Sequence, residues 1–387
     1  MHLDVSYAES VYVRPEHVTL REQVARFLAS EVEPCAHVWE EQGFVPREVL
    51  RAMGRLGFFG ITWPQRYGGL EADAITNLVF AEALSRCTFG GFTVTALVHT
   101  DMAMPHLVYA GSALQLEKYL PRAIAGESIA AVAITEPDAG SDVRAIRTRA
   151  RRDGDHWVVN GSKLFITNGV HADLIFVAAR TDPDAKGSRA LSMFIVEKNT
   201  PGLRVGRALR KSGWLCSDTA ELVLEDCRIP AENLLGEENR GFYAILRNFQ
   251  TERIALATMA VGHAMTALEL TLRYVKERRA FGGPLYDKQA VRQRLAMLQA
   301  KTEATRQYMY HCAWLVTQGR EVVREVSMLK AMSCELANEV VYACQQFHGG
   351  MGYMRESVIE RLVRDARVLT IGGGATEVML EEVAKRS

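Results

Sequence analysis

Glu252 is a carboxylate where the sequence pattern asks for a hydrocarbon. Phe242, Ile245, Leu246 and Phe249 recur at i, i+3, i+4 and i+7, the spacing of one buried helical face. Continued from Ile245 through Phe249, that face reaches Glu252, Leu256 and Met259. Three and four residues from Glu252 stand Asn248, Phe249, Ala255 and Leu256, so no Lys or Arg is placed for a helical ion pair. A carboxylate buried without such a partner titrates above its usual range and can accept a proton near neutrality. The alternatives are a helix face that turns to solvent here, or a pair with the adjacent Arg253.

Two polar segments offer binding chemistry. Ala133-Ile134-Thr135-Glu136-Pro137-Asp138-Ala139-Gly140-Ser141-Asp142 follows an apolar run and packs two hydroxyls, a proline-fixed bend and a glycine into one turn. Such a turn presents N–H and hydroxyl donors to carbonyl and phosphate oxygens, although a capped surface loop has the same composition. In Phe165-Ile166-Thr167-Asn168-Gly169 a ring stands two residues from a hydroxyl. On a strand these share a face, so the ring can stack on a planar cofactor while the hydroxyl donates to its edge. His263 and His348 read as satisfied core histidines rather than acid–base groups.

Those residues need elements to hold them. The chain has 387 residues, 48% of them hydrophobic and 24% charged, enough for a large core and two or three domains. Lys plus Arg and Asp plus Glu both number 46, which points away from a nucleic-acid partner. The seven cysteines, at 35, 87, 216, 227, 312, 334 and 344, form no metal-type spacing, and no metal is expected. Met1–Ser10 is polar and no apolar run looks long enough for a membrane span, so we expect a soluble cytoplasmic protein. Residues 1–123 read as helices: His17 to Trp39, one opened by Pro46, Asp73 to Cys87, a buried helix or pair over 92–109, and a charged helix closed by Pro121. Residues 124–234 read as short antiparallel strands, with Asn160-Gly161 between Trp157-Val158-Val159 and Leu164-Phe165-Ile166 as a hairpin turn. Residues 235–387 read as a helical bundle, with helices near 241–277, 286–317, 322–345, 355–365 and 375–385. The fold class is α+β: helical domain, antiparallel β domain, helical bundle. The absence of strand–helix alternation and of a GxGxxG after a strand argues against a Rossmann cofactor site.

Together, Thr135-Glu136-Pro137-x-Ala139-Gly140-Ser141-Asp142 and Ile166-Thr167-Asn168-Gly169 resemble the acyl-CoA dehydrogenase family. The resemblance continues in order through Ser217-Asp218-Thr219, Leu235-Gly236-Glu237, Arg278-x-x-Phe281-Gly282, Gln346-x-x-Gly349-Gly350-x-Gly352-Tyr353 and Arg364-Asp365-Ala366, and so spans essentially the whole chain. It implies one FAD per subunit, an acyl thioester of coenzyme A as substrate, an electron-transfer flavoprotein as acceptor, and a homodimer or homotetramer. It implies flavin contacts from Val132, Ile134, Thr135, Phe165 and Thr167, with Ser141 touching both cofactor and substrate, and Ala375 and Glu377 on the flavin side. It assigns Arg278, Phe281, Gln289, Gln346, Gly349 and Gly350 to the FAD of a neighbouring subunit. Arg278 has the planar fork that suits a pyrophosphate, and the two glycines let backbone approach a ligand closely. Tyr243, Phe249, Arg253 and Gly374 match substrate-contacting positions.

One position departs from the family pattern. Many relatives carry their catalytic Glu in an Ile-Tyr-Glu-Gly-Thr segment near the C-terminus; here the matching residues are Ile371-Gly372-Gly373-Gly374-Ala375, and the Glu is replaced by Gly373. The long-chain and isovaleryl-CoA dehydrogenases take their base from the long helix instead, at the position of Glu252. The resemblance to those two implies α,β-dehydrogenation of long or branched acyl chains. The alternative is a relative that has lost this reaction: a flavin oxidase or monooxygenase, or a non-catalytic acyl-CoA binder.

Overall fold

The computed structural model describes residues 9–182, 184–185 and 189–386, so most of the polar opening stretch lies outside the described residues. The chain begins with helices α1 (Pro15–Phe27), α2 (Ala36–Gln42), α3 (Arg47–Arg55), α4 (Ala74–Leu84), α5 (Gly90–Leu97), α6 (Met104–Ala110) and α7 (Ala113–Ile124). The helix expected over His17–Trp39 breaks: a π-helical turn at Leu28–Val32 and a turn through Pro34 and Cys35 separate α1 from α2. Pro121 does not end its helix. It sits inside α7, where the carbonyl that loses its partner is that of Glu117, on the solvent side.

Strands follow: β1 (Ala130–Ala133), β2 (Arg149–Asp153), β3 (His156–Thr167), β4 (Leu174–Arg180), β5 (Leu191–Glu197), β6 (Leu203–Ala208), β7 (Thr219–Pro230) and β8 (Leu234–Leu235). They form one sheet in the order β6-β7-β3-β2-β4-β5-β8, with β1 against β4. Most pairs are antiparallel, but β1 runs parallel to β4, which the strand pattern did not reveal. Asn160-Gly161 is not a hairpin turn. The turn is Gly154-Asp155, where Gly154 takes φ +63° and Asp153 pairs with His156. Asn160 stays in β3 because its side chain is bonded across to Asp226, donating from Nδ2 at 3.1 Å and accepting from the backbone N–H at 2.8 Å. A Cβ on Gly161 would lie 2.4 Å from Thr148 Oγ1, so that glycine serves a close approach rather than a turn.

The C-terminal part holds α8 (Gly241–Glu277), the β9 (Arg279–Ala280) and β10 (Gly283–Pro284) ribbon, α9 (Gln289–Thr317), α10 (Val323–His348), α11 (Val358–Ala366) and α12 (Thr376–Ala384). α8 is the central rod, packed on α10, α9 and α4. It also corrects one expectation: an 18-residue stretch of α8 is long and apolar enough to cross a membrane. That stretch is 83% buried against the rest of the chain, the condition of a core helix. Phe242 and Ile245 face the core as expected, whereas Leu246 is 43% exposed.

Candidate active site

Glu252 lies half-buried on α8, between Leu256 one turn on and the loop that joins α11 to α12. Gly372, Gly373 and Gly374 form that loop, with Gly373 at φ +62° and Gly374 at φ +97°. A Cβ on Gly373 would stand 3.1 Å from Glu252 Oε1 and 2.1 Å from Leu256 Cδ1. Glu252 and any side chain at 373 therefore compete for one volume. Burial pushes the Glu252 carboxyl up to about 7, against the opposing pull of Arg253 and Lys330. Both cations are bonded elsewhere. Arg253, itself buried, points its Nη1 at Ser327 Oγ (3.3 Å) and lies over the Phe249 ring, 5.4 Å from its centroid. Lys330 Nζ donates to the Gly374 carbonyl at 2.5 Å. Phe249, Glu252, Arg253 and Gly374 thus converge, while Tyr243 stands 45% exposed near the start of α8 under the Arg240 guanidinium.

A second group forms where β1 runs into the Thr135–Asp142 turn. Lys163, with no exposed surface, donates to Glu136 Oε1 at 2.8 Å and to the Ile134 carbonyl at 3.1 Å. The Glu136 carboxylate also accepts the backbone N–H groups of Arg147 (2.6 Å) and Thr148 (3.0 Å). Burial pulls Lys163 down to about 8, and burial on Glu136 is outweighed by the lysine's charge and these bonds, so the pair is ionic at pH 7. Leu164 N–H donates to the Thr135 carbonyl at 2.9 Å, completing the tie between the turn and β3. Lys163 was not among the expected site residues. Its signal was its inward register with Trp157 and Val159 on β3.

Beyond it, β3 bulges between Lys163 and Ile166, and Phe165 adopts φ +61° with its side chain 64% exposed. Strict alternation is therefore not what relates Phe165 to Thr167; the bulge turns the ring outward while Thr167 rejoins the ladder opposite Thr219. Asn168 closes the strand by donating from Nδ2 to the carbonyls of Thr95 (3.0 Å) and Ala130 (3.3 Å). Val132 and Ile134 are half-buried beside it, and Ser141 is exposed on the turn. Buried Thr95 Oγ1 and Asn168 Oδ1 have no hydrogen-bond partner among the described residues.

The third group lies far away. Arg278 ends α8, Phe281 tips the β9–β10 ribbon at 93% exposure, Gln289 opens α9, and Gln346 closes α10 before Gly349 and Gly350. Tyr274 ties these together, stacking on His348 at 4.2 Å and donating to its carbonyl at 3.3 Å. Along α8 the 26 residues from Glu252 to Arg278 span about 39 Å at the helical rise. One subunit cannot bring this group to Glu252. Ala375 precedes α12 and Glu377 lies exposed in its first turn. His263 is a core residue but not a satisfied one: neither ring nitrogen has a hydrogen-bond partner among the described residues, and burial drops it to about 4. An open cleft of about 580 Å³ that includes Asp101, Gln250, Thr251 and Ile254 meets α8 without including Glu252.

Three models of one family match along the chain: the acyl-CoA dehydrogenase N-terminal domain over residues 14–127, the middle domain over 131–227 and the C-terminal domain over 239–387. The long-chain specific acyl-CoA dehydrogenase, mitochondrial, of Mus musculus is 41% identical over 374 residues, covering 96% of this chain and 86% of that protein. The isovaleryl-CoA dehydrogenase, mitochondrial, of Pongo abelii is 36% identical, covering 94% of this chain and 86% of its own. The crystal structure of an acyl-CoA dehydrogenase from Geobacillus kaustophilus superposes with a TM-score of 0.94 at 40% identity, covering 98% of this chain and 99% of that one. On this agreement over nearly its whole length, the chain belongs to the acyl-CoA dehydrogenase family.

Proposed function

We propose that this chain is an FAD-dependent acyl-CoA dehydrogenase, an oxidoreductase acting on CH–CH donors, in which Glu252 takes the proton from the carbon next to the thioester carbonyl. One observation carries the base assignment: the Glu252 carboxylate occupies the space beside Gly373, poised by burial to titrate at about 7. A general base works best when its pKa lies near the working pH. The product is the trans-2-enoyl thioester.

The residues present fit the cofactor. Phe165 offers an exposed ring face, Thr167 a hydroxyl, and the turn pinned by Lys163 holds the Ile134 and Thr135 backbone. Thr95 Oγ1 and Asn168 Oδ1 add buried polar atoms without a partner among the described residues. A Cβ at Gly349 or Gly350 would meet nothing within 4 Å, leaving open space beside exposed Phe281 and Arg278. When bound, FAD supplies the acceptor for the hydride that leaves the next carbon of the acyl chain. In this reading Val132, Ile134, Thr135, Ser141, Phe165, Thr167, Ala375 and Glu377 serve the subunit's own cofactor. Ser141, Tyr243, Phe249, Arg253 and Gly374 serve the acyl-CoA. The distant group of Arg278, Phe281, Gln289, Gln346, Gly349 and Gly350 serves a partner's FAD, which requires a homodimer or homotetramer. The likeness to the long-chain and isovaleryl-CoA dehydrogenases supports long or branched acyl chains. We further infer division into units 1–123, 124–234 and 235–387, a cytoplasmic location and an electron-transfer flavoprotein as acceptor.

The test is anaerobic bleaching of the purified holoenzyme by a series of acyl-CoAs. Long or branched chains should bleach the flavin, and Glu252→Gln should slow this by about 10²–10⁴-fold. A Glu252→Gln enzyme that bleaches at the normal rate would overturn the base. Rapid oxygen turnover, or no bleaching with any acyl-CoA, would favour the oxidase or binder instead.

A further inference from the structure

α10 buries a lysine that the reaction above does not use. Lys330 has no exposed surface and sits among Val326, Ser327, Cys334 and Ala337 on the inward stripe of α10. A buried ammonium is costly unless it is paired, so its partner carries meaning. That partner is a backbone carbonyl, Gly374 O, at 2.5 Å.

Among the described residues, the loop's other hydrogen bonds hold its two ends. Ile371 and Gly372 donate to Val368 O at 2.9 and 2.8 Å, which fixes the entry. At the exit the N-cap of α12, Ala375, supplies no side-chain cap, and the next residue, Thr376, donates its Oγ1 to Glu335 Oε1 on α10 at 2.8 Å. Between them run three glycines, two of them left-handed, and glycine is the residue with the most backbone freedom to lose. The tolerance is small, because a Gly373 displaced towards α8 runs into Leu256 Cδ1 and Glu252 Oε1.

We propose that Lys330 is a positioning residue: its hydrogen bond to Gly374 holds the three-glycine loop on the path that leaves the Glu252 carboxylate its space. This rests on the reading of Glu252 as the proton acceptor. Burial pulls the Lys330 ammonium below its usual range, against the neighbouring carboxylates, and in its charged form it acts on the site. Glu252 and Arg253 from α8, and Cys334 and Glu335 on α10 itself, are the groups whose charges act on it. Removing this cation therefore deprives the Glu252 carboxylate of a stabilising charge and makes it harder to ionise.

The experiment compares Lys330→Met, which has similar length but neither donor nor charge, with Lys330→Gln, which can donate to Gly374 but carries no charge. Amide hydrogen exchange over residues 372–376 is measured in the holoenzyme, alongside the rate of flavin reduction against pH. In Lys330→Met, exchange should quicken by about tenfold or more, the scale of one lost charge-assisted hydrogen bond. Its reduction rate should fall and the acid limb of its pH profile should move upward. Lys330→Gln should recover protection of the loop yet keep the shifted limb. Unchanged loop exchange in a folded Lys330→Met, or an unmoved pH limb in Lys330→Gln, overturns the proposal. If Lys330→Met does not fold, Lys330→Gln decides alone through that limb. Glu252→Gln run in parallel separates the two claims. If it reduces its flavin normally, the base reading falls; if it is inactive beside an unaltered Lys330→Met, only the role of Lys330 falls.

Discussion

Glu252 should cost the protein stability, and removing its charge should return that stability in a pH-dependent way. Burial moves the carboxyl from an ordinary 4.5 to about 7. Between those values the folded protein holds a proton that the unfolded chain has released. Stability therefore falls as pH rises from about 4.5 to 7 and levels off above it. At about 1.36 kcal/mol per tenfold, the ionised carboxylate costs at most about 3 kcal/mol at pH 8.5, and about 1–3 kcal/mol once its partial solvent access is allowed for. Glu252→Gln keeps the shape and never ionises, so it should recover most of that cost at pH 8.5 and under about 1 kcal/mol at pH 5. For a chain of 387 residues unfolding as one unit, the gain corresponds to a rise in Tm of about 1–4 °C at pH 8.5. Calorimetry of both proteins at saturating FAD, at the two pH values, provides the check. A Tm change that is zero, negative or equal at both pH values would refute the claim that the protein desolvates this carboxylate.

Three further outcomes follow from the same contacts. Gly373→Ala places a Cβ against Leu256 and Glu252 at a positive φ; it should cost about 1–2 kcal/mol of stability and slow flavin reduction while FAD affinity, read by fluorescence, stays near normal. Lys163→Met leaves buried Glu136 without its cation, so unfolding measurements should show a loss of about 3–5 kcal/mol at pH 7 and weaker FAD retention. Glu136→Gln/Lys163→Met together should recover much of that loss. If Glu252 is the base proposed above, the wild-type rate of flavin reduction should rise with pH through about 7 as its carboxyl ionises; a flat profile from pH 6 to 8 would contradict the assignment.

What could be read in advance followed from how far each signal reaches along the chain. The helical period is local, and α8, α9 and α10 lie close to where it placed them. Strand pairing is not local: the parallel partner of β1 lies some forty residues away, and exposed β6 alternates only over Leu203-Arg204-Val205, too short a run to mark it. Asn160-Gly161 misled because a turn dipeptide can also serve a bulge and a close contact, as it does against Asp226 and Thr148. Lys330 was missed although its signal matches that of Glu252, a charge on the buried stripe of a helix. The carboxylate suggested chemistry, whereas the lysine between Val326 and Cys334 was given no role.

The site rests on an exclusion between two positions far apart in sequence. Glu252 Oε1 stands 3.1 Å from where a Cβ at residue 373 would be, and Leu256 Cδ1 stands nearer still. A glutamate at 373 would have to pass through the volume that Glu252 and Leu256 fill. The glycine is thus the steric condition under which a carboxylate can reach this volume from α8. A chain that had merely lost its base at 373 would have no reason to bury another carboxylate against the gap, since doing so lowers stability above pH 5. That cost is tolerable where it makes a proton acceptor. The same logic reaches Lys330: with no side chain at 373 or 374 to wedge the loop, its path depends on backbone hydrogen bonds, and the one from α10 comes from a buried cation within electrostatic reach of Glu252.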